Sequence, residues 1–495
     1  MFHTLLLVFW ACLPLSGQPE KPEMPEHIRK LADAALAAPP ELAADVLIRL
    51  AESKQISSKA LKLDLLERAF ALAGAARYPL RLRGTAPWTD NREWALGSGL
   101  DRGLSTLGLR VRVLKEMIPL DGARARLLFG DIRVPPVALE CKATLVPYPS
   151  EHYDLIPGIL ANSFTAEERK KEAHVAWFSD QIRAANSVAH LEVMATQLLQ
   201  DRWQKRQLET LLSAYASTMK QMEVDPRSSR FWLGFSLQQR MFELTRHLMK
   251  SDIPPLPLLD AYRSLLVRGM SGRRCVAEGQ TDDSFETLRT TFNGALRNLV
   301  PQGVDSIREI TAEESKPVAT EAAGKAHDYW KTELSRPLLM GVKRLRFGTP
   351  EEQKVLQSVP QKKPGETNWL SIEQRLEPRW EEALRAFLVE LERWEKDSNE
   401  LEADHFHQLM MVYHPLLELT PSSDLRRMVL GSAISVLKTS SLQTTSPPDW
   451  YFQLWRLLAP YGGTDEERRA RREEVRRSGD ALMALYAELE EMLAR

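Results

Sequence analysis

The sequence predicts an all-α protein of antiparallel helix pairs, stacked as an irregular solenoid or gathered into two helical bundles. Three observations carry that expectation. Helix-start signals recur: Thr165–Glu168, Thr311–Glu314, Ser371–Gln374 and Thr464–Glu467 are capping boxes, in which a hydroxyl accepts from the N3 amide and an acidic or amide side chain bonds back. Thr349-Pro350-Glu351-Glu352 adds proline at the first helical position, and Ser446-Pro447-Pro448-Asp449 is a close variant. Apolar residues then repeat every three or four positions, whereas apolar–polar alternation is found only at Leu139–Leu145. No strand–helix alternation of the βαβ kind occurs, so a doubly wound sheet or an α/β barrel is disfavoured.

The elements follow in order. Leu5–Leu15 is an apolar run of signal-peptide length, followed by small residues at Ser16 and Gly17 and a polar, Pro-rich segment. It reads as a secretory leader over residues 1–17, with a buried N-terminal helix as the competing reading. The run is shorter than the roughly 20 residues a bilayer span needs. Pro39-Pro40 open a helix carrying Leu42, Ala43, Val46, Leu47 and Leu50 on one face. After a turn at Gln55–Ser58, Leu61, Leu65, Ala69, Leu72 and Ala76 form a second stripe, which Pro79 ends. Such an αα-hairpin must bury its stripes against a neighbour.

Gly97, Gly99 and Gly103 fit neither phosphate-binding spacing and read as a turn into a helix around Leu104–Met117. Residues 132–160 form a Pro-rich loop, in which Leu139–Leu145 is either one short strand or irregular extended chain. Turn-rich residues 270–284 separate an N-terminal helical domain (18–270) from a C-terminal one (285–495). Residues 79–100 read as a further boundary and residues 356–370 as a surface loop. A Pro-preceded helix carrying Leu, Asp and Ala or Arg recurs loosely from Pro40, Pro119 and Pro255. It resembles the irregular helix-pair arrays of the tetratricopeptide and HEAT type in architecture only. No repeat consensus aligns residue by residue, so the resemblance implies only that helix pairs stack.

A chain of 495 residues is too long for one compact core and implies two to four domains or one extended array. Its 43% hydrophobic and 27% charged residues allow a sizeable interior. The 66 basic and 67 acidic residues nearly cancel, which argues against a nucleic-acid binder and against a polybasic membrane-surface protein. Beyond residue 17 no apolar stretch approaches bilayer length, so no transmembrane segment is expected in the mature chain. Cys12 would permit lipid anchoring, but Phe9-Trp10-Ala11 stands where a lipobox has Leu and small residues. Cys141 and Cys275 either pair in an oxidising compartment or stay as buried thiols, and their spacing does not choose.

The densest cluster of chemically capable side chains lies in residues 400–415. On a helix Asp404, His407, Met411 and His414 share one face. A carboxylate and two imidazoles suit zinc, or copper with the Met411 thioether, although His407 and His414 stand roughly 10 Å apart by helical rise. A metal there would need a ligand from a second helix. The plainer reading has Leu409, Met410, Val412 and Tyr413 inward, the histidines in ordinary surface bonds, and His414 near a helix C-terminus just before Pro415.

Trp380, Leu384, Phe387, Leu391 and Trp394 follow coiled-coil spacing, and Trp380, Phe387 and Trp394 are the candidate interaction anchors if that stripe is exposed rather than core. Ser150–Asp154 with Cys141 offers a thiol–imidazole pair, or more plainly a solvated loop anchored by Tyr153. Residues 465–477 read as a solvated helix face with Glu467–Arg471 and Glu473–Arg477 pairs, and an arginine-rich site for an anionic partner is the alternative. The last stripe, Leu482, Leu485, Tyr486, Leu489 and Leu493, is expected to dock on the body.

No catalytic constellation or cofactor motif emerges. The expectation is a periplasmic or secreted helical scaffold that binds a protein or peptide. The alternative is an exported metal-binding protein or metal-dependent enzyme using zinc or copper at Asp404, His407 and His414. An all-α hydrolase on the 141–154 loop is a third.

Overall fold

Proline and hydroxyl caps set the first helices. α1 (Glu26–Ala35) leads to α2 (Pro40–Glu52), which opens with proline at its first position, where a missing N–H costs nothing. α3 (Lys59–Ala73) starts where the Ser58 hydroxyl accepts from the Leu61 amide at 3.3 Å. The computed structural model of the chain describes residues 24–84, 92–133, 141, 145–148, 151–200, 202–224, 235–276, 284–299, 307–322, 378–396, 401–419, 423–458 and 464–494. The predicted leader with Cys12, the capping boxes at 349 and 371, and the 356–370 loop lie outside these residues.

The middle of the chain continues with α4 (Arg92–Leu100), α5 (Thr106–Met117), α6 (Gly122–Gly130), α7 (Ile156–Asn162), α8 (Ala166–Lys170), α9 (Ala173–Arg183), α10 (Val188–Leu198), α11 (Lys205–Gln221), α12 (Phe235–Lys250), α13 (Leu256–Ser271) and α14 (Ser284–Leu299). The remainder comprises α15 (Pro378–Glu392), α16 (Glu402–Leu419), α17 (Ser423–Thr439), α18 (Pro447–Leu458), α19 (Asp465–Arg477) and α20 (Ala481–Ala494). The fold is all-α, as the sequence predicts. None of the described helices is long and apolar enough to cross a membrane.

Four short strands make two small ladders. β1 (Arg81–Gly84) pairs antiparallel with β2 (Leu145–Tyr148), and β3 (Arg273–Val276) pairs parallel with β4 (Ala319–Ala322). Only residue 145 of the expected 139–145 alternation lies in the ladder; of the rest, Cys141 alone is described. A disulfide joins Cys141 to Cys275, tying the chain just before β2 to β3.

Several local expectations are corrected. Gly97 and Gly99 lie inside α4 and not in a turn; Gly103 alone takes a turn conformation, at φ 78°. β1 and α4 occupy most of what read as a boundary at 79–100, because Ala95, Leu96 and Leu100 are buried. Turn-rich residues 270–284 contain β3. The Thr311–Glu314 box forms both of its bonds, at 3.0 and 3.1 Å, yet only a turn follows, since Pro317 cannot continue a helix. The boxes at Thr165 and Thr464 do open helices.

One continuous apolar core runs from α1 to α20, so helices on both sides of residues 270–284 share it. The two ends of the chain meet. α20 packs on α1 and α2, while α18 packs across α4. Gly99 makes that crossing possible: a Cβ there would lie 2.1 Å from the Pro448 carbonyl oxygen. Buried polar bonds fasten the same contact. Arg112 donates to Asp45 at 2.6 Å, Tyr486 donates to the other Asp45 oxygen at 3.2 Å, and Arg49 donates to Glu490 at 2.6 Å.

Candidate functional site

The polar cluster foreseen on residues 404–414 becomes a buried seam between α16 and α18. α16 does not stop before Pro415 but runs through it to Leu419. The lost hydrogen bond and ring clash cost about 3 kcal/mol. Burial of Met410, Val412, Tyr413, Leu416 and Leu417, at roughly 1.5–3 kcal/mol each, outweighs that. His407 and His414 are consequently interior, only 1% and 3% exposed, and not on the surface.

Each polar group of the seam has a defined setting. Asp404 accepts from Arg92 of α4 at 3.1 Å. His414 lies 2.8 Å from the Gln453 carbonyl oxygen, which can only accept, so the imidazole Nε2 carries the proton. Gln453 in turn donates to Asp449 Oδ1 at 3.2 Å, and Asp449 Oδ2 is buried without a partner. Both ring nitrogens of His407 are likewise buried and unpartnered. Burial lowers the His407 pKa to about 3, helped by the charges of Arg456 and Arg92. The same desolvation pushes His414 well below its ordinary value and the Asp449 carboxyl up to about 7.

Asp404, His407 and His414 do not come together as a ligand set. Among the described residues no three His, Cys, Asp or Glu side chains are placed to hold a metal ion. Asp404 Oδ1 is engaged by Arg92 and His414 Nε2 by Gln453, so each has an existing bond on one of its two possible ligating atoms. Met411 is engaged as well, its sulfur 3.7 Å from an Arg456 nitrogen.

The aromatic stripe of α15 faces inward for most of its length. Leu384, Phe387 and Leu391 are buried, and Trp394, just beyond the helix, is half-buried against the core. The Trp380 side chain lies outside the described residues. The 151–155 segment is a 3₁₀ turn whose His152 and Tyr153 are buried and packed ring to ring at 3.9 Å, so it is not a solvated loop. Cys141 is disulfide-bonded and offers no thiolate, which removes the nucleophile from the 141–154 reading.

A concave site lies on the last two helices. α19 and α20 border a groove of about 430 Å³, lined by Glu466, Arg469, Arg472, Glu473 and Arg476 of α19 and Glu491 of α20. Arg476 is held by Glu473 at 2.7 Å and by Glu491. The foreseen Glu473–Arg477 pair forms at 3.0 Å, whereas Glu467 reaches to Arg426 of α17. Comparison with protein families, curated proteins and solved structures found no match to this chain.

Sequence reasoning missed Asp449, except as a cap, together with Gln453 and Arg92. The signal was present for the first two: Asp449 and Gln453 stand four apart in PPDWYFQLWRLL, whose one other strongly polar residue is Arg456. For Arg92 there was none, because its partner Asp404 is 312 residues away.

Proposed function

We propose that this chain is an exported, non-catalytic scaffold that binds a protein or peptide partner. The observation that supports it best is the open α19–α20 groove, large enough for several side chains and walled by long charged residues. The leader-like residues 1–17 and the Cys141–Cys275 disulfide both suit an oxidising, extracytoplasmic compartment, periplasmic or secreted. To test this, a photo-cross-linking amino acid is placed at Ala470 in the tagged chain from Gln18 onward, and complexes are captured from envelope extract and read by mass spectrometry. One stoichiometric partner attached from position 470, and not from the exposed control position Lys170, is the expected result. Recovery of the chain alone from both positions would sink the proposal.

A second reading, a metal-holding centre on α16, has one observation in its favour: the buried His407 imidazole has no hydrogen-bond partner on either nitrogen. Elemental analysis of the purified chain decides it, and absence of stoichiometric zinc or copper removes it.

A further inference from the structure

We infer that the ligand of the α19–α20 groove presents carboxylates, as an acidic peptide segment does, and that Arg469 and Arg472 are the pair that receives them. The inference rests on the binding reading above and gives it a ligand class. Arg476 is already neutralised by Glu473 and Glu491. Arg469 and Arg472 make no hydrogen bond or ion pair with any described residue, although Asp465 feels their charge. A carboxylate in the groove would meet these two unengaged guanidinium groups with charge-assisted, bidentate bonds.

Position and charge narrow the ligand. Arg469 and Arg472 are three residues apart, hence on one face, with roughly 5–6 Å between their Cβ atoms. That separation suits two neighbouring acidic side chains or one carboxylate shared between both forks. The groove as a whole carries three arginines and three glutamates. The three glutamates therefore disfavour a dense polyanion, while a segment with isolated single negative charges is admitted. A nucleic-acid backbone or an anionic lipid surface fits this lining poorly. An acidic peptide fits it well, its apolar stretches resting on the arginine stems.

The probe is an N-acetylated, C-amidated peptide of alternating Glu and Gly, titrated calorimetrically into the full chain at low ionic strength. Saturable binding is expected, weakened about tenfold or more in the R469Q/R472Q chain and absent for the Gln–Gly analogue. Both substitutions replace polar groups at the rim, and an unchanged circular dichroism melt shows that the variant is folded. Failure of the peptide to bind the unaltered chain overturns the inference, as does equal binding to the variant. Displacement by inorganic phosphate at the same concentration as peptide also overturns it, marking a general anion site. If a partner cross-links from position 470 while the acidic peptide does not bind, the ligand class falls and the binding reading stands.

Discussion

Asp449→Asn is expected to change how stability depends on pH, and the sign follows from two buried groups with opposite behaviour. His407 has a folded pKa of about 3 against an ordinary 6.5, so between these values the unfolded chain holds one proton more. Its contribution is present above pH 6.5 and is lost as pH falls toward 3, a slope of about +1.36 kcal/mol per pH unit. His414, also held well below its ordinary value by burial, acts in the same direction. Asp449 does the reverse. Its folded pKa of about 7 against an ordinary 3.9 means the folded chain holds the extra proton, so its contribution is present below pH 3.9 and lost as pH rises through 7. Between pH 4.5 and 6.5 the aspartate therefore largely cancels one histidine. Removing its charge uncovers that histidine, and the stability of the variant relative to the parent should grow by roughly 2 kcal/mol over those two units. Urea unfolding by circular dichroism at pH 4.5, 5.5, 6.5 and 7.5 measures it, with equal m-values confirming that only stability has changed. The variant retains an oxygen to accept from Gln453, so any uniform offset is separable from the slope. Parallel curves for parent and variant would refute the reasoning, because they would mean that Asp449 is ionised in the folded chain throughout.

Two further perturbations probe the cross-link and the close packing of α4. Replacing Cys141 and Cys275 together by Ser opens a link of sequence separation 134, for which unfolded-chain entropy gives a loss of up to about 5 kcal/mol; urea midpoints that match the disulfide form would contradict that role. Gly99→Ala places a methyl 2.1 Å from the Pro448 carbonyl oxygen and should cost about 1–3 kcal/mol, whereas Gly431→Ala, in α17 with nothing within 4 Å, should stabilise by up to about 1 kcal/mol. Thermal melts of the two side by side check the contrast, and similar shifts for both would dismiss the close crossing of α4 and α18.

The all-α class was legible because it depends on local signals. Ser58, Thr165 and Thr464 each start a helix through bonds made within four residues, Pro40 starts one by its fixed φ, and all four signals are written in the sequence. Thr311 shows the limit of that logic: its box closes, but Pro317 ends the segment before a helix can propagate. The site was legible only by residue type. Asp404, His407 and His414 were recognisable as chemically capable, yet their burial and their bonds to Arg92 and Gln453 depend on α4 and α18, which no local pattern brings to α16. The same holds for Arg469 and Arg472. Two of the three carboxylates lining the groove, Glu473 and Glu491, are taken by Arg476, and Glu491 belongs to the next helix.

How the chain ends find each other is also beyond local patterning, and the buried charges account for it. The stripes of α1, α2 and α20 are largely Leu and Ala, and such surfaces can pack against many neighbours with similar gain. Asp45 is not interchangeable in this way. Only 2% exposed, it satisfies both of its oxygens with Arg112 of α5 and Tyr486 of α20. A register of α20 that withheld Tyr486 would leave one buried carboxylate oxygen short of a donor, at about 1–3 kcal/mol or more for a charged group. Arg49 and Glu490 add a second condition one turn further along both helices. Apolar burial thus supplies most of the free energy that holds α20 to the N-terminal hairpin, while two polar contacts decide the register in which it is held. Glu491, next to Glu490 on α20, neutralises Arg476, while Arg469 and Arg472 stay without an ion pair to any described residue of the groove.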